Sequence, residues 1–109
     1  MKNRDRIVLE KILAEIAVAD NLMGQIDLKG FLADEKLKRA ISMTIINIGE
    51  LVKNLDDDFR SEHPQIPWKA IAGFRDVAAH KYQALHMEDV YTTARVDLPA
   101  LQTELSALL

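Results

Sequence analysis

The chain has 109 residues, 49% of them hydrophobic and 28% charged, and its formal net charge is −3. This length suits a single domain over residues 1–109, and the acidic balance excludes broad, sequence-independent coating of nucleic acid, which needs a basic surface. There is no cysteine, so disulfides, zinc–thiolate sites and thiol nucleophiles are excluded. No apolar run approaches the roughly 20 residues that span a bilayer, and no secretory signal precedes the first amphipathic segment. We therefore expect a cytoplasmic protein with no membrane contact.

Two long helices are predicted in the first half of the chain. Apolar residues recur at three- and four-residue spacing over residues 4–23, as on one face of an amphipathic helix. Gly24 and Gly30 then bracket a turn. With Asp34 as its N-cap, the second helix is predicted to continue to about Leu55. Apolar residues lie on two faces of this second helix, so it is either buried on both sides within a bundle or exposed to a second partner.

Shorter helices are predicted in the second half. The acidic residues 56–58 suit the start of a short helix, because carboxylates are favourable at a helix N-terminus. Pro67 suits the first position of another helix, which is expected to run to about Lys81. A last helix is predicted from about Met87, and Pro99 is expected to kink it or divide it in two. Since no strand pattern occurs, the prediction is an all-α, up-and-down bundle of four to five helices.

The most informative segment is the run of residues 75–82, RDVAAHKY. Arg75 is charged at any cellular pH and has a planar fork that matches phosphate oxygens, whereas His80 can exchange protons near neutrality. Together they suit cleavage of a phosphodiester, in which His80 would move the proton and Arg75 would hold the developing charge. No metal is needed for this chemistry. In RNA the cleaved strand would end in a cyclic phosphate.

Helical geometry limits how this motif can work. On a straight helix Arg75 and His80 lie about 140° apart around the axis, so they cannot converge on one atom from a single chain. A second copy across a two-fold axis, or a local break after His80, would solve this. Asp76 is only about 40° from His80 and is expected to hydrogen-bond the imidazole. By residue type alone, a solvated helix face with an ion pair remains an alternative interpretation.

Several segments carry a resemblance to a known family. They follow one another in the family's order over nearly the whole chain: Ile48-Gly49-Glu50, residues 63–68, residues 71–76, His80-Lys81-Tyr82 and Asp97-Leu98-Pro99. In these segments the chain resembles the HEPN superfamily, and more closely the HepT-like toxins of MNT-HEPN toxin–antitoxin pairs in bacteria and archaea.

This resemblance implies a homodimer whose Arg75 and His80 form a metal-independent RNase site in the dimer cleft. It also implies a minimal nucleotidyltransferase antitoxin that adds adenylyl groups to Tyr82. Asp76 stands where many HEPN nucleases have asparagine, and Glu50 and Asn47 occupy positions at which the family tends to keep polar supporting groups. The alternative function is a non-catalytic HEPN module that binds a nucleotide or a nucleotidyltransferase partner.

Overall fold

The computed structural model describes all 109 residues, and the predicted all-α bundle is confirmed. Five helices come first, α1 (Asn3–Met23), α2 (Leu28–Ala33), α3 (Glu35–Lys53), α4 (Asp57–Glu62) and α5 (Trp68–His80), followed by a 3₁₀ turn over Tyr82–Ala84. Then α6 (Met87–Thr92), a π-helical segment (Thr93–Asp97) and α7 (Leu98–Ser106) follow one another without a break. None of these helices is both long and apolar enough to cross a membrane.

Helix α3 occupies the centre of the bundle, with α1 and α5 packed against different sides of it. Its core residues recur at helical spacing and are almost fully buried, as are those of α1 and α7 that meet them: Ile41, Ile45, Ile48 and Val52 of α3, Leu9, Ile12 and Ile16 of α1, and Leu101 and Leu105 of α7. The two apolar faces of α3 are therefore explained by two helical neighbours within the chain. Met43, however, is 56% exposed and lies outside both contacts.

Side-chain caps mark where α2 and α3 begin. The Asp34 carboxylate accepts a hydrogen bond from the Leu37 amide at 2.9 Å, so the predicted N-cap of α3 is confirmed. The turn predicted between Gly24 and Gly30 is shorter than expected, because Asp27 accepts from the Gly30 amide at 2.8 Å and starts α2. The short helix then places Phe31 in the core, fully buried.

Pro99 was expected to kink or divide the last helix, and the helix is not divided there. Proline has no N–H for the carbonyl four residues earlier, and its ring crowds that carbonyl. The chain passes through the π-helical segment Thr93–Asp97 just before α7. Arg95 of this segment donates to the carbonyls of Gly24 at 2.9 Å and Ile26 at 2.5 Å, which ties the end of α1 to the closing helix.

Candidate active site

A glycine lets α5 approach α3 closely. A Cβ on Gly49 would lie 2.2 Å from the Cβ of Arg75 and 3.1 Å from the carbonyl oxygen of Ile71, far inside normal contact distance. The base of the Arg75 side chain therefore occupies the space that a side chain at position 49 would need. This close crossing fixes where the Arg75 side chain leaves α5.

The Arg75 guanidinium is held between two carboxylates. Its Nη1 donates a hydrogen bond to Oδ1 of Asp76 at 3.1 Å. Its Nε lies 3.0 Å from Oε2 of Glu50, within ion-pair distance, but this N–H is buried and forms no hydrogen bond. The third nitrogen, Nη2, forms neither a hydrogen bond nor an ion pair within the chain. The Arg75 side chain is 22% exposed, so the fork is oriented by the protein and still has one edge available to an outside anion.

Asp76 has a different partner from the predicted one. Its Oδ1 accepts from Lys53 Nζ at 2.5 Å and from Arg75, and no hydrogen bond to His80 is formed. Lys53, on the neighbouring helix, carries a full positive charge, and hydrogen bonds between two charged groups are the strong ones. The hydrogen bond from Lys53, and next that from Arg75, hold the pKa of Asp76 below its ordinary value.

His80 is the last residue of α5, and its side chain is exposed. It makes no hydrogen bond or ion pair to another side chain. Because α5 is unbroken up to His80, the separation of about 140° from Arg75 around the helix axis applies. A break does follow, at Lys81 with φ −136° and ψ 47°, but it turns the chain only after the imidazole. A single protomer therefore does not aim both groups at one atom.

Tyr82 lies in the 3₁₀ turn that follows this break and is half-buried. The guanidinium carbon of Arg39, on α3, stands 5.5 Å from the centre of the tyrosine ring, within the range of a cation–π contact. Arg39 also pairs with Glu35, its Nε lying 3.0 Å from Oε1 of that residue. Side chains of helix α3 therefore contact the motif at three points, through Glu50 at Arg75, through Lys53 at Asp76 and through Arg39 at Tyr82.

Asn47 is exposed, one turn before Glu50 on α3, and its side chain forms no hydrogen bond within the chain. Both residues border an open depression of about 380 Å³ between α1 and α3. A second groove, of about 330 Å³, lies between α5 and α7, is mostly apolar and contains none of the motif side chains. No group of three or more His, Asp or Glu residues is arranged to hold a metal ion.

Two contributors to this site were not found in the sequence. Lys53 follows Glu50 by three residues and so lies near it on the helix surface, but nothing in the pattern tied it to the motif. Arg39 is separated from Tyr82 by more than forty positions, and only the antiparallel packing of α3 and α5 brings them together. Charged residues at helical spacing on α3 were the one available signal.

Comparisons with known proteins agree on one family. The chain matches, over residues 12–108, the family described as ribonuclease HepT-like. It is 35% identical to a candidate RNase of Caldanaerobacter subterraneus subsp. tengcongensis, over 95% of this chain and 93% of that protein. It is 32% identical to a probable ribonuclease HepT of Thermococcus cleftensis, over 99% of this chain and 98% of that protein. No solved structure was found to match.

Proposed function

Because this chain belongs to the HepT-like ribonuclease family, we propose that it is a toxin-type endoribonuclease that acts as a homodimer without a metal ion. The observation that carries the proposal is the state of Arg75, whose guanidinium is oriented by Glu50 and Asp76 with Nη2 unengaged. Phosphodiester cleavage needs an oriented, partly exposed guanidinium and an exposed imidazole, and α5 carries both groups.

The proposed reaction uses His80 for proton transfer. The imidazole accepts the proton of a ribose 2′-hydroxyl, the 2′-oxygen forms a bond to phosphorus, and a five-coordinate phosphate develops negative charge. Arg75 stabilises that charge. The bond from phosphorus to the 5′-oxygen then breaks, and an imidazolium returns a proton to the leaving oxygen. The products are a 2′,3′-cyclic phosphate and a 5′-hydroxyl, and no water or metal enters this step.

A second copy of the chain would allow an arginine and a histidine to face the same phosphate. Within one α5 the two groups point about 140° apart, but a two-fold axis can bring Arg75 of one protomer to His80 of the other. The exposed side of α5 includes Gly73, at which an added Cβ would meet nothing within 4 Å. Small residues at this position allow another helix to approach closely, which supports a cleft shared by two copies.

The proposed partner is a minimal nucleotidyltransferase antitoxin that adenylylates Tyr82. The phenol lies two residues after His80 and is half-buried under Arg39. A phosphodiester-linked group on Tyr82 would place negative charge and bulk where the RNA backbone must enter. Intact-mass measurement after mixing with a minimal nucleotidyltransferase and ATP should show added adenylyl groups on the wild-type protein and none on Tyr82→Phe.

The nuclease proposal is tested by cleavage of RNA in the presence of a chelator. Wild-type protein should cleave, His80→Ala should lose at least a hundredfold in rate, and the product ends should be cyclic phosphates. His86→Ala is the matched control, since His86 is also exposed but lies in the turn before α6. Equal cleavage by the wild-type protein and His80→Ala, or no cleavage by either, would contradict the nuclease proposal. RNA or nucleotide binding without cleavage would favour the non-catalytic module.

A further inference from the structure

Two cations of different helices converge on one oxygen beside the proposed active site. Oδ1 of Asp76 accepts from Lys53 Nζ at 2.5 Å and from Arg75 Nη1 at 3.1 Å. An ammonium and a guanidinium this close repel each other unless an anion lies between them. The carboxylate oxygen therefore marks the point in the molecule where two positive charges together stabilise a negatively charged oxygen.

We propose that Lys53 is a second phosphate ligand of this site, and that a phosphate oxygen of the RNA takes the place that Oδ1 of Asp76 occupies in the free protein. Lys53 and Arg75 then form a two-cation phosphate subsite, which the Asp76 carboxylate fills when no RNA is bound. This inference rests on the proposed ribonuclease function. It adds a substrate-binding residue that the sequence motif does not contain.

The exposure of the three side chains permits this exchange. The side chain of Asp76 is 50% exposed and that of Lys53 is 36% exposed, so the carboxylate can turn into solvent without being buried elsewhere. Solvent-exposed ion pairs contribute little to stability, and so little is lost when this one opens. Arg75 keeps its ion pair with Glu50 during the exchange, with 3.0 Å between Nε and Oε2.

The local charges show why the exchange matters for binding. In the free protein the positive charges of Lys53 and Arg75 are balanced by the negative charges of Glu50 and Asp76. An RNA phosphate approaching this neutral group gains little attraction. Once Asp76 turns away, two cations and one carboxylate remain, and the net positive charge faces the phosphate. Asp76 thus weakens RNA binding, and Lys53 strengthens it.

The test measures binding of a short single-stranded RNA to full-length His80→Ala protein, which holds the substrate without cleaving it, over a series of salt concentrations. Adding Lys53→Met should raise Kd roughly tenfold and reduce the slope of log K against log salt by about 0.7, the value for one lost phosphate contact on a single strand. Adding Asp76→Asn should instead lower Kd several-fold.

Lys29→Met is the matched control. Lys29 is exposed on α2 and forms no ion pair. Helix α2 comes just before the start of α3, whereas Lys53 lies at the end of α3. It should leave both Kd and the salt slope within twofold of the background. Lys53→Arg, which keeps the charge, should retain the salt slope and also covers the case in which Lys53→Met fails to fold.

Three results would overturn the inference. The first is an unchanged Kd and salt slope in Lys53→Met. The second is weaker binding in both Lys53→Met and Asp76→Asn, which is expected if Lys53 only positions Asp76. The third is an absence of RNA binding by the background protein. Cleavage of RNA by the wild-type protein is measured alongside. If the wild-type protein cleaves RNA but Lys53→Met leaves RNA binding unchanged, this inference is wrong and the proposed function still stands.

Discussion

The base of the Arg75 side chain lies directly against Gly49, in the space that a side chain on α3 would otherwise fill. Gly49→Ala should therefore push α5 away from α3 and move the guanidinium. We expect the free energy of unfolding in urea to fall by about 1–3 kcal/mol, the range for overpacking a tight contact. RNA cleavage should fall as well, because Arg75 would be moved away from Glu50 on α3.

Gly73→Ala is the control for this substitution. Gly73 is also a glycine inside a helix, but an added Cβ there meets nothing within 4 Å. Alanine is the better helix former by about 1 kcal/mol, so the fold of a single protomer should be as stable as wild type or slightly more stable. Only unfolding is compared in this variant, because Gly73 is proposed to face the second protomer. If Gly49→Ala were equally stable, the close contact between α3 and α5 would not be a constraint.

Glu50 is expected to position Arg75. Glu50→Ala should lower kcat about tenfold or more, because the guanidinium loses the partner that orients its Nε. KM should change by less than about threefold, since removal of a negative charge near the phosphate compensates for part of the disorder. Single-turnover and steady-state cleavage measure the two quantities. Glu10→Ala, an exposed carboxylate of α1 with the same charge change, should leave both unaltered.

The ion pair of Asp76 predicts one source of acid sensitivity. Its pKa in the folded protein lies below the ordinary value of 3.8. As the pH falls through 3.8, the unfolded chain takes up the proton first, so the stabilisation that Asp76 gives at neutral pH is lost progressively below that value. Asp76→Asn should show a slightly shallower decline of the urea midpoint between about pH 5 and about pH 3, and the difference is small because an exposed ion pair contributes little stability.

Asp20→Asn carries the same change of charge at an exposed carboxylate that has no ion pair. Its urea midpoint should decline with acidification as steeply as that of the wild-type protein. Equal slopes for Asp76→Asn and wild type would mean that the contacts of Lys53 and Arg75 with Asp76 do not stabilise the fold in solution.

A buried carboxylate of α1 supports the start of α4. Asp5 is only 2% exposed, and its Oδ1 accepts from the Asp56 amide at 3.0 Å. Asp5→Ala leaves that N–H without a partner and should lower the free energy of unfolding by about 1–3 kcal/mol. Asp20→Ala should change it by less than about 0.5 kcal/mol. A loss in Asp5→Ala no larger than in the control would show that the cap is dispensable.

The long helices were predictable because their stabilising contacts repeat at a local period. The stripe on α3 and its Asp34 cap both lie within a few positions of the residues they organise. Helix α2 was missed, since six residues are too few to show a period and its one core residue, Phe31, reads as part of a turn. The all-α class followed from the pattern, whereas the short elements depended on tertiary packing.

The site was predictable only in part. Arg75 and His80 were proposed as site residues from their chemistry, and their divergence followed from helical geometry. The partner of Asp76 was predicted wrongly, because neighbours along one helix are visible in a sequence whereas a lysine on another helix is not. Gly49 would be read as a weak point of α3 from propensity alone, yet it determines how closely α5 can pack.

The central claim is that each active site takes its arginine from one protomer and its histidine from the other. Purified Arg75→Ala and His80→Ala proteins should each be inactive, and mixing them in equal amounts with subunit exchange should restore about a quarter of the wild-type rate of RNA cleavage, because half of the dimers then carry one intact site of two. Mixtures that stay as inactive as the separate variants, although mass measurement shows that heterodimers have formed, would contradict the shared site.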